Sequence, residues 1–399
     1  MESKIKTFFG QYSKILTLAL SGGLLFFGWQ VAESYLTPFY NLSNQTAIAL
    51  KALSLLYGSV VFGNILAPLI SSKLGLKNSL SLGFLSYPLF IFSVLTKNIL
   101  FLYPAAILLG LGAGMKSNSE VAYIRLVSPR KKRGGFSGFY GAIVRIGATL
   151  GLVFALIYLH QNNFAEFYFI LGLLALIATI LIFKNLKEPN DFQKSQEPKY
   201  LQKKLGEIFK FIFNQKVLLL APAGIASGFI WGLIAGKIPL TIQTLYGVKW
   251  IAILLIIFQA TRAVLTHSMG VISDKIGRFN MKYLSILLAI GGAICFLFSK
   301  NLLALIITLF MFGVVYAIDH SNNPAFFMDL FENKIQTASA ATSIISTFAG
   351  TIPSFLLSTI KTDDYLITVA IGLSMVSLVF VKLLERRVKK NNRSVIAVI

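Results

Sequence analysis

Residues 282–320 read KYLSILLAIGGAICFLFSKNLLALIITLFMFGVVYAIDH. Two apolar runs flank Ser299-Lys300-Asn301, each close to the ~20 residues a helix needs to cross the hydrocarbon layer of a bilayer. Lipid offers the backbone no hydrogen-bond partner, so such a run must close its bonds internally, as a helix or in a barrel. Barrel strands are about half as long and alternate apolar with polar residues. Here the apolar residues run on without alternation, so the segment predicts two membrane-spanning helices.

Outward from this stretch the same signature recurs along the whole chain. Spans are predicted over 15–40, 48–72, 79–97, 99–124, 135–160 and 166–185, and then over 217–244, 250–273, 282–299, 301–328, 336–359 and 364–384. The 399 residues are 56% hydrophobic and 13% charged, with a mean hydropathy of +0.74, which is more apolar surface than one soluble core can hide. The fold class is therefore an all-α polytopic membrane protein of twelve helices. Residues 1–185 form a first six-helix bundle and 217–385 a second. Residues 186–216 form a linker and 386–399 a basic tail. The polar Met1–Gln11 and the long apolar stretch after Lys14 argue against a cleaved signal, whose core is only about 7–15 residues. Cys295, alone and within a span, excludes an intrachain disulfide framework.

A net charge of +22 raises nucleic acid as a partner, and its distribution removes the need for one. With both termini on one side, that side receives Lys4, Lys6, Lys14, Lys73, Lys77, Arg130 to Arg133, the linker lysines, Lys275, Arg278, Lys282, Lys334 and the basic C-terminal run. The other side receives only Lys97, Lys249, Lys300 and Lys361. Positive residues stay cytoplasmic, so both termini and the linker are expected there, facing an anionic leaflet. In the linker, Leu201, Leu205, Ile208, Phe209, Ile212 and Phe213 share one helical face. They predict an amphipathic helix, either lying on the leaflet or solvated.

The chain also repeats itself. Trp29 to Gly75, with Pro38 and Lys73-Leu74-Gly75, is echoed by Trp231 to Gly277, with Pro239 and Lys275-Ile276-Gly277. Gly110 precedes Lys116 by the interval that separates Gly313 from Asp319. Two related halves joined by a cytoplasmic linker are what a parallel-repeat transporter requires.

Gly270-Val271-Ile272-Ser273-Asp274-Lys275-Ile276-Gly277-Arg278 resembles the loop signature between spans 2 and 3, and again 8 and 9, of the major facilitator superfamily. The resemblance implies two pseudo-symmetric bundles and rocker-switch alternating access. It implies that Asp274 caps a neighbouring helix while Lys275 and Arg278 grip the closed cytoplasmic side. The first-half copy keeps Lys73 and Gly75 but has Ser72 in the place of the acid and Leu76 in the place of a base. Span 5 is glycine-rich (Gly134, Gly135, Gly138, Gly141, Gly147, Gly151) without the antiporter Gly-Pro pair, so its glycines are read as close-packing sites. Leu55 to Ser59, Asn64 to Pro68, Gly110 to Gly114 and Ala122-Tyr123-Ile124 are similar to the Unc ("uncoordinated") branch. Some members of that branch regulate other membrane proteins, and this is the alternative to transport.

Ionisable groups inside spans are costly and mark function. Here they are Glu33, Lys116, Glu120, Arg145, Lys237, Arg262, His267, Asp319 and His320. The superfamily lines its cavity with spans 1, 4, 7 and 10, which carry Glu33, Lys116, Glu120, Lys237, Asp319 and His320. Two latches are expected, Glu33 with Lys237 on the outside and Lys116 with Asp319 on the inside, each closed in one state. The local alternative is that Lys116 pairs with Glu120 on its own helix, and that Arg145 or Arg262 neutralises a nearby acid. Trp29, Gln30, Trp231, Asn322 and Asn323 suit a small polar or charged solute. Glu33, Glu120, His320 and His267 are the candidates for proton coupling, as in symport. The chain has no phosphate loop and only scattered histidines, so no ATP hydrolysis, metal, cofactor or enzyme chemistry is expected. A monomer in the plasma or inner membrane is expected.

Overall fold

The computed structural model describes residues 2–128, 133–159, 163–189, 206–331, 335–359 and 363–396. Within these the chain is helical, and twelve helices are long and apolar enough to cross a membrane. Spans 1 to 6 are Glu2–Asn41, Thr46–Leu74, Leu76–Leu95, Ile99–Val127, Arg133–Tyr158 and Phe164–Asn185. Span 7 runs from Gln215 to Tyr246 and contains a π-helical turn, Leu233–Lys237. Spans 8 to 12 are Val248–Ile276, Arg278–Leu297, Leu302–Phe331, Ile335–Thr359 and Asp363–Ile396. Twelve crossings return the chain to the side on which it began. That side, which also receives the linker, is called here the terminal face.

The turns follow from local chemistry. Gly75, Gly247 and Gly277 take φ of 93°, 92° and 91°, a region closed to most side chains, and so let spans 2 and 3, 7 and 8, and 8 and 9 join with one residue between them. Asn98 and Asn214 cap spans 4 and 7, accepting from the N–H of Leu100 at 2.9 Å and of Lys216 at 3.0 Å. Pro239 has no N–H to give the carbonyl one turn back and clashes with it, and the helix answers with the π-turn just before it.

Each half packs in the same pattern. Span 1 lies on spans 5 and 6, span 4 on spans 2 and 3, and span 3 on span 6, and the second half repeats these pairs as 7 on 11 and 12, 10 on 8 and 9, and 9 on 12. The bundles meet through spans 2 and 11 and through spans 5 and 8. Glycines set the closest crossings. A Cβ on Gly110 would lie 2.2 Å from the Leu56 carbonyl, and one on Gly147 would lie 2.1 Å from that of Gly23. Gly151 packs as closely on Phe27, whereas Gly138 and Gly141 meet nothing within 4 Å, so only part of the span 5 glycine stripe serves packing.

Residues 190–205 of the linker, with Leu201 and Leu205, lie outside the described residues. Residues 206–212 are helical, and Ile208 is buried against Val61 and Ile65 of span 2 and Ile344 of span 11. This face of the linker therefore packs on both bundles, while Phe209 and Phe213 stay exposed. The helix of span 12 runs on through the basic tail to Ile396.

Candidate functional site

The ionisable residues between the bundles fall in layers. On the face opposite the termini, spans 1 and 7 are joined by neutral hydrogen bonds. Thr37 donates to the Gly236 carbonyl at 3.2 Å, Asn41 to Gln243 Oε1 at 3.0 Å, and Gln243 Nε2 to the Pro38 carbonyl at 3.1 Å. The expected Glu33–Lys237 latch is not what closes this face. Glu33 is buried and accepts from Tyr57 Oη and, at 3.1 Å, from Gln30 Nε2, while Lys237 sits at the π-turn. Thr37 and Gln243 thus belong to the closure.

Next comes a central layer. Trp231 Nε1 donates to Tyr57 Oη at 3.2 Å, so a chain of bonds runs from span 7 through span 2 to Glu33 on span 1. Gln30, Glu33, Ser34, Trp231, Phe258 and Gln259 line a small cavity with free volume of about one water. Beneath it lies Arg262, only 2% exposed. Its guanidinium stands 5.3, 5.0 and 5.5 Å from the rings of Trp231, Phe258 and Tyr316. It donates to Gln259 Oε1 at 3.1 Å, and its Nε has no partner. Trp29 is not part of this layer. It is buried edge-on against Tyr87 and Phe90 of span 3, because its ring faces its own bundle.

Toward the terminal face, Arg145 meets His320 across the bundles. His320 is exposed although it lies deep in its span and faces the partner bundle. Gly138 and Gly141 share the Arg145 side of span 5 and look into open space. Among the described residues this leaves an opening between the bundles beside Arg145 and His320, here called the vestibule, while hydrogen bonds join spans 1 and 7 on the opposite face. His267 is exposed on span 8.

The Lys116–Asp319 latch, expected to close only when the inside is shut, is not formed in this conformation, where each charge is matched inside its own bundle. Lys116 pairs with Glu120 one turn on and lies over the rings of Phe26 and Phe84, and Tyr140 donates to the same Glu120. Asp319 accepts from Lys282 at 2.8 Å, Ser285 at 3.1 Å and Ser227 at 3.3 Å. Lys282, expected at the basic surface, is instead buried in span 9 because Asp319 offers it a counter-charge. Asn323 also accepts from Lys282, at 3.3 Å. Asn322 accepts from Ser273 at 2.5 Å and donates to the Arg278 carbonyl at 3.2 Å, so it braces a turn and is not placed in the cavity. Arg145 and Arg262 form no ion pair with any acid among the described residues.

The two loop copies differ as their sequences do. In the second, Arg278 bridges Asp274 at 2.5 Å, Ser273 at 2.8 Å and Asp329 at 3.4 Å, tying spans 8, 9 and 10 together, with Gly270 against Ser321 and Lys275 exposed. In the first, Ser72 turns back to the Leu69 carbonyl at 2.8 Å and Lys73 is exposed. The missing acid is supplied from elsewhere. Glu188, just past span 6, accepts from the N–H groups of Leu76 at 2.7 Å and Lys77 at 3.0 Å, at the N-terminus of span 3. The carbonyl of its neighbour Lys187 accepts from Tyr123 Oη at 2.8 Å. A glutamate in a polar linker gives no sequence signal of this role. Glu188→Ala is expected to lower stability by about 1–2 kcal/mol, and Glu188→Gln by less, read by thermal denaturation in detergent.

Comparison with known proteins places these features. No curated protein matches the chain. Among solved structures, a POT family transporter in complex with 5-aminolevulinic acid is 12% identical with a TM-score of 0.76, covering 93% of this chain and 96% of that one. The xylose transporter XylE from E. coli, in a partially occluded inward-open conformation, is 13% identical with a TM-score of 0.71 over 93% and 96%. A nucleoside transporter, NupG, is 13% identical with a TM-score of 0.69 over 93% and 99%. At such identities these likenesses speak for the fold alone. The family model of the Major Facilitator Superfamily matches residues 18–358, and the chain belongs to that superfamily.

Proposed function

We propose that this integral membrane protein is a secondary active transporter that moves a small polar or charged solute by rocker-switch alternating access. The observation that carries this reading is the polar layer around Glu33, Gln259 and Arg262, bridged over by hydrogen bonds between spans 1 and 7 and bordered on its other side by the opening beside Arg145 and His320. The basic residues gather on the terminal face, which makes that face cytoplasmic and this conformation inward-facing. Glu33 is the proton site of this scheme, because it links spans 1, 2 and 7 through Tyr57 and Trp231, so its charge bears on the contact between the bundles. Xylose, a peptide and nucleosides are named for transporters of similar fold, and a solute of that class requires the central cavity, which here has room for about one water, to widen as the bundles move. The Unc-like similarity of spans 2 to 5 would make the chain a regulator instead. A regulator has no need of a vestibule that ends on buried charge.

Spin labels at Leu42 and Leu245, exposed at the closed ends of spans 1 and 7, test the scheme. Two distance populations are expected, with a ratio that differs between pH 5 and pH 8 in the unsubstituted protein and is fixed in Glu33→Gln. One invariant distance would overturn alternating access. Equal pH response in Glu33→Gln would remove Glu33 as the proton site.

A further inference from the structure

Resting on that reading, we infer that the solute carries an anionic group, a carboxylate or a phosphate, which is held between Arg262 and Arg145 at the inner edge of the central layer. The inference begins with a charge inventory. Lys116 and Glu120 neutralise each other, and so do Lys282 and Asp319. Lys237 stands apart at the π-turn beside the closed face, so what remains in and just below the central layer, among the described residues, is one carboxylate, Glu33, and two guanidiniums, Arg145 and Arg262, all within electrostatic reach of one another. The carboxylate accepts from Tyr57 and Gln30, and neither arginine bonds it.

Arg262 is the more telling of the two. It is the largest fully buried side chain among the described residues. A guanidinium carries five N–H donors, and among the described residues only Gln259 accepts from this one. Its Nε is buried without a partner. An uncompensated buried cation is strongly unfavourable. The three aromatic rings recover part of that cost through their faces and leave the polar edge of the guanidinium unused. An edge with donors in a fixed fork is the complement of a carboxylate or phosphate.

Arg145 supplies access. Its partner is the His320 ring, which offers one nitrogen lone pair and no anionic charge. Its side of span 5 borders the space left by Gly138 and Gly141. An anion entering from the terminal face meets Arg145 first and Arg262 next, and Gln259, Gln30 and Ser34 are left to hold the remainder of a small solute.

The test is thermal denaturation of the purified full chain against small monocarboxylates, dicarboxylates, phosphate monoesters and inorganic phosphate. The matching amides, free sugars and nucleosides serve as uncharged arms, all at constant ionic strength. A bound ligand raises the melting temperature. At least one anionic class should do so, and the carboxylate and phosphate arms separate the two chemistries. The shift should need at least tenfold more ligand in Arg262→Lys and in Arg145→Lys, since lysine keeps the charge and loses the fork. Arg145→Lys, on the exposed vestibule, decides the matter should Arg262→Lys not fold. A shift from uncharged solutes only, or an anion shift untouched by Arg145→Lys, overturns the inference and leaves alternating access standing. No shift from any anion overturns it as well. The spin-label distances report separately on the transporter reading.

Discussion

Asp319→Asn is expected to destabilise the second bundle by about 3–5 kcal/mol, because it leaves a buried ammonium without its counter-charge. Lys282 lies in span 9 with its side chain 7% exposed, and its other acceptor is Asn323 at 3.3 Å. Asparagine still accepts a hydrogen bond, so the geometry survives and the charge does not. The substitution should lower the melting temperature well beyond what loss of one neutral hydrogen bond would do. Asp319→Asn combined with Lys282→Met should recover most of the loss, since an apolar pair of similar volume in place of a buried ion pair is close to neutral. The contrast lies at the end of span 12. Lys389 pairs with Glu385 at 2.7 Å but is 71% exposed, and Lys389→Ala should change stability by no more than about 1 kcal/mol. An Asp319→Asn protein that melts with the unsubstituted one would show that Lys282 does not depend on this acid.

That prediction marks the boundary of what the sequence carries. Spans were legible because lipid tests length and apolarity, and these add up along one segment without reference to any other. The repeat was legible because glycines and prolines are punctuation, and Gly75 and Gly277 do take the same positive φ. Which charge meets which is legible only within one helix, where Lys116 and Glu120 stand one turn apart. Lys116 and Asp319 occupy matching positions in spans 4 and 10, and the symmetry suggested a pair across the bundles. Pairing is decided by how neighbouring helices face one another. Glu120 was one turn away on the same helix, and Lys282 stood beside Asp319 on the adjacent span. Lys282 follows Arg278 by one turn, where the apolar run has just begun, and in sequence it reads as one more basic residue of that surface. The aromatic surround of Arg262 joins spans 7, 8 and 10, and no periodicity within one span reports it. Glu188 lay in the polar linker, where a carboxylate is normally solvated, and acquired its role only when the end of span 6 came beside the start of span 3.

Gly147→Val and Gly228→Val are each expected to remove most of the folded, monodisperse protein from a detergent extract. The two residues hold corresponding crossings. Gly147 of span 5 rests on Gly23 of span 1, and Gly228 of span 7 rests on Ser346 of span 11. A Cβ would lie 2.1 Å from the carbonyl oxygen of Gly23 in the first case and 1.8 Å from that of Ser346 in the second. Real contacts of this kind begin above 3 Å, and here the obstacle is backbone, which has no rotamer to give. Spans 1 and 5, or 7 and 11, would have to separate by at least about 1 Å. That gap forfeits a quarter to a half of the dispersion energy along the crossing. In lipid nothing replaces it, because the acyl chains are as apolar as the side chains and close packing is the main attraction between helices. Gly141→Ala is the control on the same span. Its Cβ would meet nothing within 4 Å, so yield and melting temperature should hold, and any effect should fall on the vestibule it narrows. Equal yields from Gly147→Val and Gly141→Ala, by size-exclusion of the solubilised protein, would show that the crossing of spans 1 and 5 does not hold the first bundle together.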